Sequence, residues 1–247
     1  MPADPEAVAA SSLAAELAAT AAASGLRLPE PSSAAADRIV TFGDDPADTF
    51  GDAPAEHDTD RSRAVVIGRH RTGSYHVRLS RHGAMLAHGT TPDLAAITAA
   101  VAAWTSGADL DRTGRAAPFL RIPDWARAHE RERLDPVELA WRQDLTRCEV
   151  VGSGWDRFPA ARALLEAAFA EPTLRQLRPV HSHFSLWFSN TADHPYRHVG
   201  LTAEPLPDGR YRLHSRSTED EAEEVADAAT AVARLLAALP PDLGPTR

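Results

Sequence analysis

Histidine is the residue type whose spacing in this sequence most suggests chemistry. His181, His183, His194 and His198 fall in one short stretch, and imidazole nitrogens in such a set resemble the ligands of a tetrahedral metal site. Read as one extended strand, residues 181–189 sort by parity. Phe184, Leu186 and Phe188 face one way, and His181, His183, Ser185 and Trp187 the other. A second strand over 198–204 sets Val199, Leu201 and Ala203 inward and His198, Gly200, Thr202 and Glu204 outward. A third, over 210–215, sends Tyr211 and Leu213 in and Arg210, Arg212 and His214 out. If Ser189 pairs near His198, His181 lies about eight residues further along, roughly 26 Å away, so the four histidines do not converge. The same register sets Glu204 across from His183. The Pro207-Asp208-Gly209 turn then sets Arg212 across from Glu204 and His214 across from Thr202.

Two chemistries follow from that face. His181, His183 and Glu204 could make a two-histidine, one-carboxylate metal set. Alternatively His183, Trp187, Glu204, Arg212 and His214 form a ligand-binding face, with Trp187 as a stacking platform and the charged groups as anchors. A solvated sheet face with a cross-strand Glu204–Arg212 ion pair is the plain alternative. An outward tryptophan argues for something that covers it.

Other motifs are weaker. His129-Glu130 begins a metalloprotease helix, but Arg133 stands where the second histidine belongs. Gly152-Ser153-Gly154 lacks the third glycine of a dinucleotide loop. Cys148, the one cysteine, excludes an intramolecular disulfide, a zinc ribbon and a CxxC pair, and reads as a half-buried thiol. Arg175 and Arg178 flank the histidine strand and could hold a carboxylate or phosphate.

The chain of 247 residues contains no lysine. A P-loop nucleotide site, a protein-kinase ATP site and a pyridoxal or other Schiff-base enzyme each need that amine, so these classes are excluded and no cofactor is expected beyond an optional divalent metal. A net charge of −9 without a basic stripe argues against nucleic-acid binding. No apolar run is long enough for a membrane span and the Ala-rich opening is not built like a signal peptide, so a cytoplasmic protein is expected.

The elements that must position the face give an α+β fold. An N-terminal Ala-rich helix over 5–26, with Val8, Leu13 and Leu17 as its stripe, precedes an acidic linker up to residue 62. A single domain is expected over 63–240, followed by a tail. It consists of two strand–strand–strand–helix halves, 63–107 and 178–240, around a helical insert over 108–177. In the first half Tyr75, Val77 and Leu79 alternate with polar residues, and Thr91 caps the helix that follows. In the insert Pro123, Pro136 and Pro159 each mark a helix start, and Asp135 with Glu138 makes a capping box. In the second half Thr218 with Glu221 repeats that spacing before a helix carrying Val225, Val232 and Leu235. Tyr75-x-Val77 and Tyr211-x-Leu213, each leading to a helix, hint at duplication.

Trp141-Arg142-Gln143-Asp144-Leu145, Arg178 to His183 running on to Trp187-Phe188-Ser189, and Tyr75-His76-Val77 running to Leu94 and Trp104 resemble an actinobacterial family of unknown function labelled as natural-product biosynthesis proteins, over roughly residues 60–240. The resemblance implies an accessory role in a biosynthetic cluster and supplies no catalytic residues. The resulting expectation is a protein that binds a peptide, a small-molecule intermediate or a partner enzyme through the polar sheet face. A metal-dependent tailoring enzyme and an immunity-like or structural interaction module are the alternatives.

Overall fold

A computed structural model describes residues 12–35, 39–43, 62–68, 73–150, 159–182, 184–215 and 218–244. The chain divides into two compact units, Met1–Arg133 and Leu134–Arg247. The fold is α+β, and each unit is built around a five-stranded antiparallel sheet whose strands follow one another in sequence order. The helical region expected as an insert is shared between the units, and the three-stranded halves are five-stranded.

The first unit runs α1 (Leu13–Ala23), β1 (Pro31–Ala35), β2 (Ile39–Phe42), β3 (Arg63–Ile67), β4 (Tyr75–Arg81), β5 (Ala84–Thr91), α2 (Leu94–Thr105), α3 (Leu110–Ala116) and α4 (Asp124–Arg131). Strands β1 and β2 occupy part of what reads as a linker, while Val8 and the acidic stretch 44–60 lie outside the described residues. Tyr75, Val77 and Leu79 are buried, as their alternation requires. His82 and Gly83 form the two-residue turn between β4 and β5, with φ of 58° and 70°; such a turn needs positive φ at both positions. Asp93, rather than Thr91, caps α2: its carboxylate accepts from the backbone N–H groups of Ala95 and Ala96 at 2.8 and 3.2 Å. Thr91 is the last residue of β5. At the other end of α2 the buried Trp104 donates to the carbonyls of Arg63 and Ser80, fastening the helix to β3 and β4.

The second unit runs α5 (Pro136–Glu149), α6 (Pro159–Ala170), α7 (Pro172–Arg175), β6 (Arg178–Ser182), β7 (Ser185–Ser189), β8 (His198–Pro205), β9 (Tyr211–Ser215), β10 (Thr218–Val225) and α8 (Ala228–Ala237). Pro123, Pro136 and Pro159 do mark helix starts, and Asp135 caps α5 through the N–H groups of Val137 and Glu138. The Thr218–Glu221 spacing, in contrast, begins strand β10, and α8 is capped by Asp227. This acidic segment pairs with β9 as the edge strand of the sheet, so the capping spacing has no helix to cap. Trp141, Leu164, Leu165, Phe188, Tyr211 and Leu235 form the centre of the core. Trp141 donates its indole N–H to the carbonyls of Arg175 and Leu177, which fixes the chain entering β6.

The two units share one plan. In each, a helix precedes the sheet and another follows it, and the two touch: α1 with α2, and α6 with α8. A tyrosine opens the fourth strand, pairs with the last residue of the fifth, and reaches the leading helix. Tyr75 pairs with Thr91 and donates to Glu16 at 3.4 Å; Tyr211 pairs with Val225 and donates to the Ala160 carbonyl at 2.9 Å. An aspartate, Asp93 or Asp227, caps the closing helix two residues after the fifth strand ends.

Candidate ligand-binding face

The strand expected over 181–189 is a hairpin. β6 and β7 pair antiparallel with Ser182 opposite Ser185, and Phe184 turns the chain at a φ of 73°. Reversal changes the parity, because residues opposite one another on paired strands share a face. Val180 lies opposite Trp187, whereas His181 lies opposite the buried Leu186. His181 therefore faces the core side, away from Trp187. Phe184, expected in the core, sits in the turn, and His183 lies outside the described residues.

His181 is held under α5, where its Nδ1 stands 3.0 Å from an Asp144 oxygen, both side chains being less than a tenth exposed. Asp144 also accepts from Arg147 at 3.0 Å. Cys148 follows one helical turn after Asp144 and is buried. Burial, and then the Asp144 carboxylate, push its thiol up to about 12. A cysteine, a histidine and an aspartate thus occupy one region without an ionisable nucleophile, since only a thiolate attacks.

On the next strand a bulge changes the register. Ser189 pairs with His198 as expected, and Phe188 with Val199, but Leu186 pairs with Ala203. Gly200, at a φ of 71°, lies in the inserted stretch of β8. The shift sets Glu204 level with Ser185. Of the expected His181–His183–Glu204 metal set, His181 and Glu204 lie on opposite faces of the sheet, and His183 is outside the described residues. Among the described residues no group of three histidine, cysteine or acidic side chains is placed to hold a metal ion. The third strand pairs as the hairpin turn demands, with Glu204 opposite Arg212 and Thr202 opposite His214.

The face away from α5, α6 and α8 therefore carries Trp187, His198, Thr202, Glu204, Arg212 and His214. Trp187 and His198 stack with ring centroids 5.0 Å apart and planes tilted by 32°. His198 Nε2 lies 3.0 Å from the Thr202 hydroxyl. His214 Nδ1 is shielded from solvent without a hydrogen-bond partner. Arg212 lies between two carboxylates, Glu204 and Glu224, each at 3.5 Å, so its charge is already balanced. At the β6 side, the Arg178 guanidinium stands 4.8 Å from the Tyr196 ring centroid. The loop bearing Tyr196 is pinned by Ser189, whose hydroxyl accepts from the N–H groups of Thr191 and Arg197, each at 3.0 Å. Tyr196 and Arg178 were not part of the expected face. Tyr196 lies in an irregular loop that periodicity does not reach, and Arg178 was placed before the strand rather than in it.

Two other features are structural. A cleft of about 680 Å³ is lined by Val137, Glu138, Phe169, Pro172 and Arg175, but Glu138 already binds both Arg142 and Arg175 above the Phe169 ring. In the first unit Glu130 accepts from Arg81 and from the Leu110 backbone, and His129 is buried. The broken metalloprotease motif thus ties α4 to β4 and α3. No described helix is long and apolar enough to cross a membrane.

No curated protein and no solved structure matches this chain. Residues 135–247, which coincide with the second compact unit, match a family of unknown function, DUF6193.

Proposed function

We propose that the second unit is a binding module that takes a peptide or small-molecule intermediate on the outer face of its sheet, as an accessory protein of natural-product biosynthesis. The observation that carries this reading is the half-buried Trp187, laid against His198 on the side of the sheet opposite the packed helices. A large aromatic on such a face offers stacking area at low entropic cost. The biosynthetic setting draws on the resemblance described for the sequence. The orphaned His214 nitrogen adds a polar group able to orient a ligand once the surface opens to it.

The test is a ligand-observed magnetic resonance screen of the whole protein against short peptides and aromatic small molecules, repeated with Trp187→Ala. Ligands that bind the native protein and are lost from the variant are expected. A screen without hits, or hits that the substitution leaves unchanged, would sink the reading.

A further inference from the structure

The distribution of arginine counter-charges identifies the polar end of this face. Among the described arginines of the second unit, all but Arg178 and Arg197 have a carboxylate within 3.5 Å. In a chain with net charge −9, acid is abundant, so two arginines left without it are set apart. Both adjoin Tyr196: Arg178 stacks on its ring and Arg197 follows it in sequence. Arg178 otherwise reaches only the Pro136 carbonyl, at 3.5 Å.

Strand pairing places these cations beside the aromatic platform. Arg178 is opposite Ser189, and Ser189 is opposite His198, so the three form one row across β6, β7 and β8. Trp187 lies two residues along β7 from Ser189 and is therefore the diagonal neighbour of both Arg178 and His198. Diagonal positions in an antiparallel sheet are about 7–8 Å apart, within reach of long and aromatic side chains. That span matches a benzene ring joined through one or two atoms to an acid group.

The first unit provides an internal comparison. Val40, Val66 and Val77 form a row across β2, β3 and β4, matching Leu186, Ala203 and Leu213 across β7, β8 and β9. The residue after Val40 is Thr41, so threonine stands in the first sheet where Trp187 stands in the second. The tyrosine, the core row and the capping aspartate recur, whereas the tryptophan does not. The shared plan therefore folds without it.

We infer that the Arg178–Trp187–His198 end of the second sheet is a site for an aromatic carboxylate, its ring against Trp187 and its acid group on Arg178, with Arg197 adding to the positive field. This rests on the reading that the outer face binds a ligand. It moves the anionic anchor from Arg212, which is already neutralised, to Arg178. The acid gains a charge-assisted contact while the ring keeps its stacking partner.

The experiment titrates the full chain with N-acetylphenylalanine, its neutral amide and acetate, following saturation transfer to the probe. The aromatic acid should bind at least about tenfold more tightly than either the amide or acetate. Arg178→Gln with Arg197→Gln should bring the acid down to the level of the amide, while Arg178→Lys keeps most of the preference. Trp187→Leu should weaken acid and amide alike, and Arg162→Gln, which removes an exposed arginine on α6, should change nothing. Circular dichroism of each variant confirms that it is folded. Equal binding of acid and amide that still depends on Trp187 overturns the anionic site and leaves the ligand-binding face standing. Absence of binding by every probe overturns the aromatic-carboxylate assignment, and with an empty peptide and small-molecule screen it removes the binding face as well.

Discussion

Alkylation of the lone cysteine tests the packing of the second unit and the exclusion of thiol chemistry together. Cys148 is 5% exposed on α5, and burial followed by the Asp144 carboxylate moves its thiol from 9.0 to about 12. At pH 8 the thiolate fraction is then about 10⁻⁴, against about 10⁻¹ for the same thiol in the unfolded chain, a ratio of about 10³ in reactive species. Closed packing lowers access further, so native labelling proceeds mainly through transient opening. Iodoacetamide labelling followed by intact mass should thus be at least about a thousandfold slower in buffer than in denaturing urea. Between pH 8 and 9 the native rate should rise nearly tenfold, while the unfolded rate begins to level off. The linked stability has a definite sign. The folded thiol holds its proton more tightly than the unfolded one, so its contribution is complete below pH 9 and is lost as pH rises toward 12. Native labelling within about tenfold of the unfolded rate would refute the reasoning, because it requires an accessible, partly ionised thiol.

Three further outcomes are expected. His76 accepts from Arg78 at 3.3 Å and lies 3.0 Å from the Thr90 hydroxyl; burial, then the charges of Arg78 and His88, lower it to about 4. The first unit should therefore lose up to about 3 kcal/mol as pH falls from 6.5 toward 4, and amide exchange on β4 should show this loss in the native protein but much less in His76→Gln. Asp93→Ala and Asp227→Ala should each cost about 1 kcal/mol, measured as faster exchange confined to α2 or to α8. Gly200→Ala puts a Cβ on a residue at φ 71° and 3.3 Å from Leu239 Cδ2; a loss of about 1–2 kcal/mol is expected in urea unfolding followed by the signals of β8.

The local chemistry of this chain was legible without its fold. Proline at helix starts, Asp135 before α5, the alternation from Tyr75 to Leu79 and the Pro207-Asp208-Gly209 turn act over a few residues, and each stands as read. The pairing of Glu204 with Arg212 and of Thr202 with His214 was equally readable, since a tight turn fixes register by counting. The absence of lysine from the 247 residues was readable by counting alone, whatever the fold.

What the tertiary structure decided is the face on which each histidine lies. A run of alternating residues from His181 to Ser189 has the same parity whether it continues as one strand or folds back on itself, and nothing in its periodicity marks Phe184 as the turning point. The reversal at Phe184 inverts the sense of β6, sends His181 to Asp144 and leaves Trp187 with His198. The bulge at Gly200 then moves Glu204 away from its counted partner. Counter-charge was legible only in part. The tight turn already sets Glu204 beside Arg212, but only the packed strands add Glu224 to that pair and place the Tyr196 ring beside Arg178. Register and pairing depend on contacts between residues far apart in the chain, and those contacts turn a set of polar residues into a candidate site.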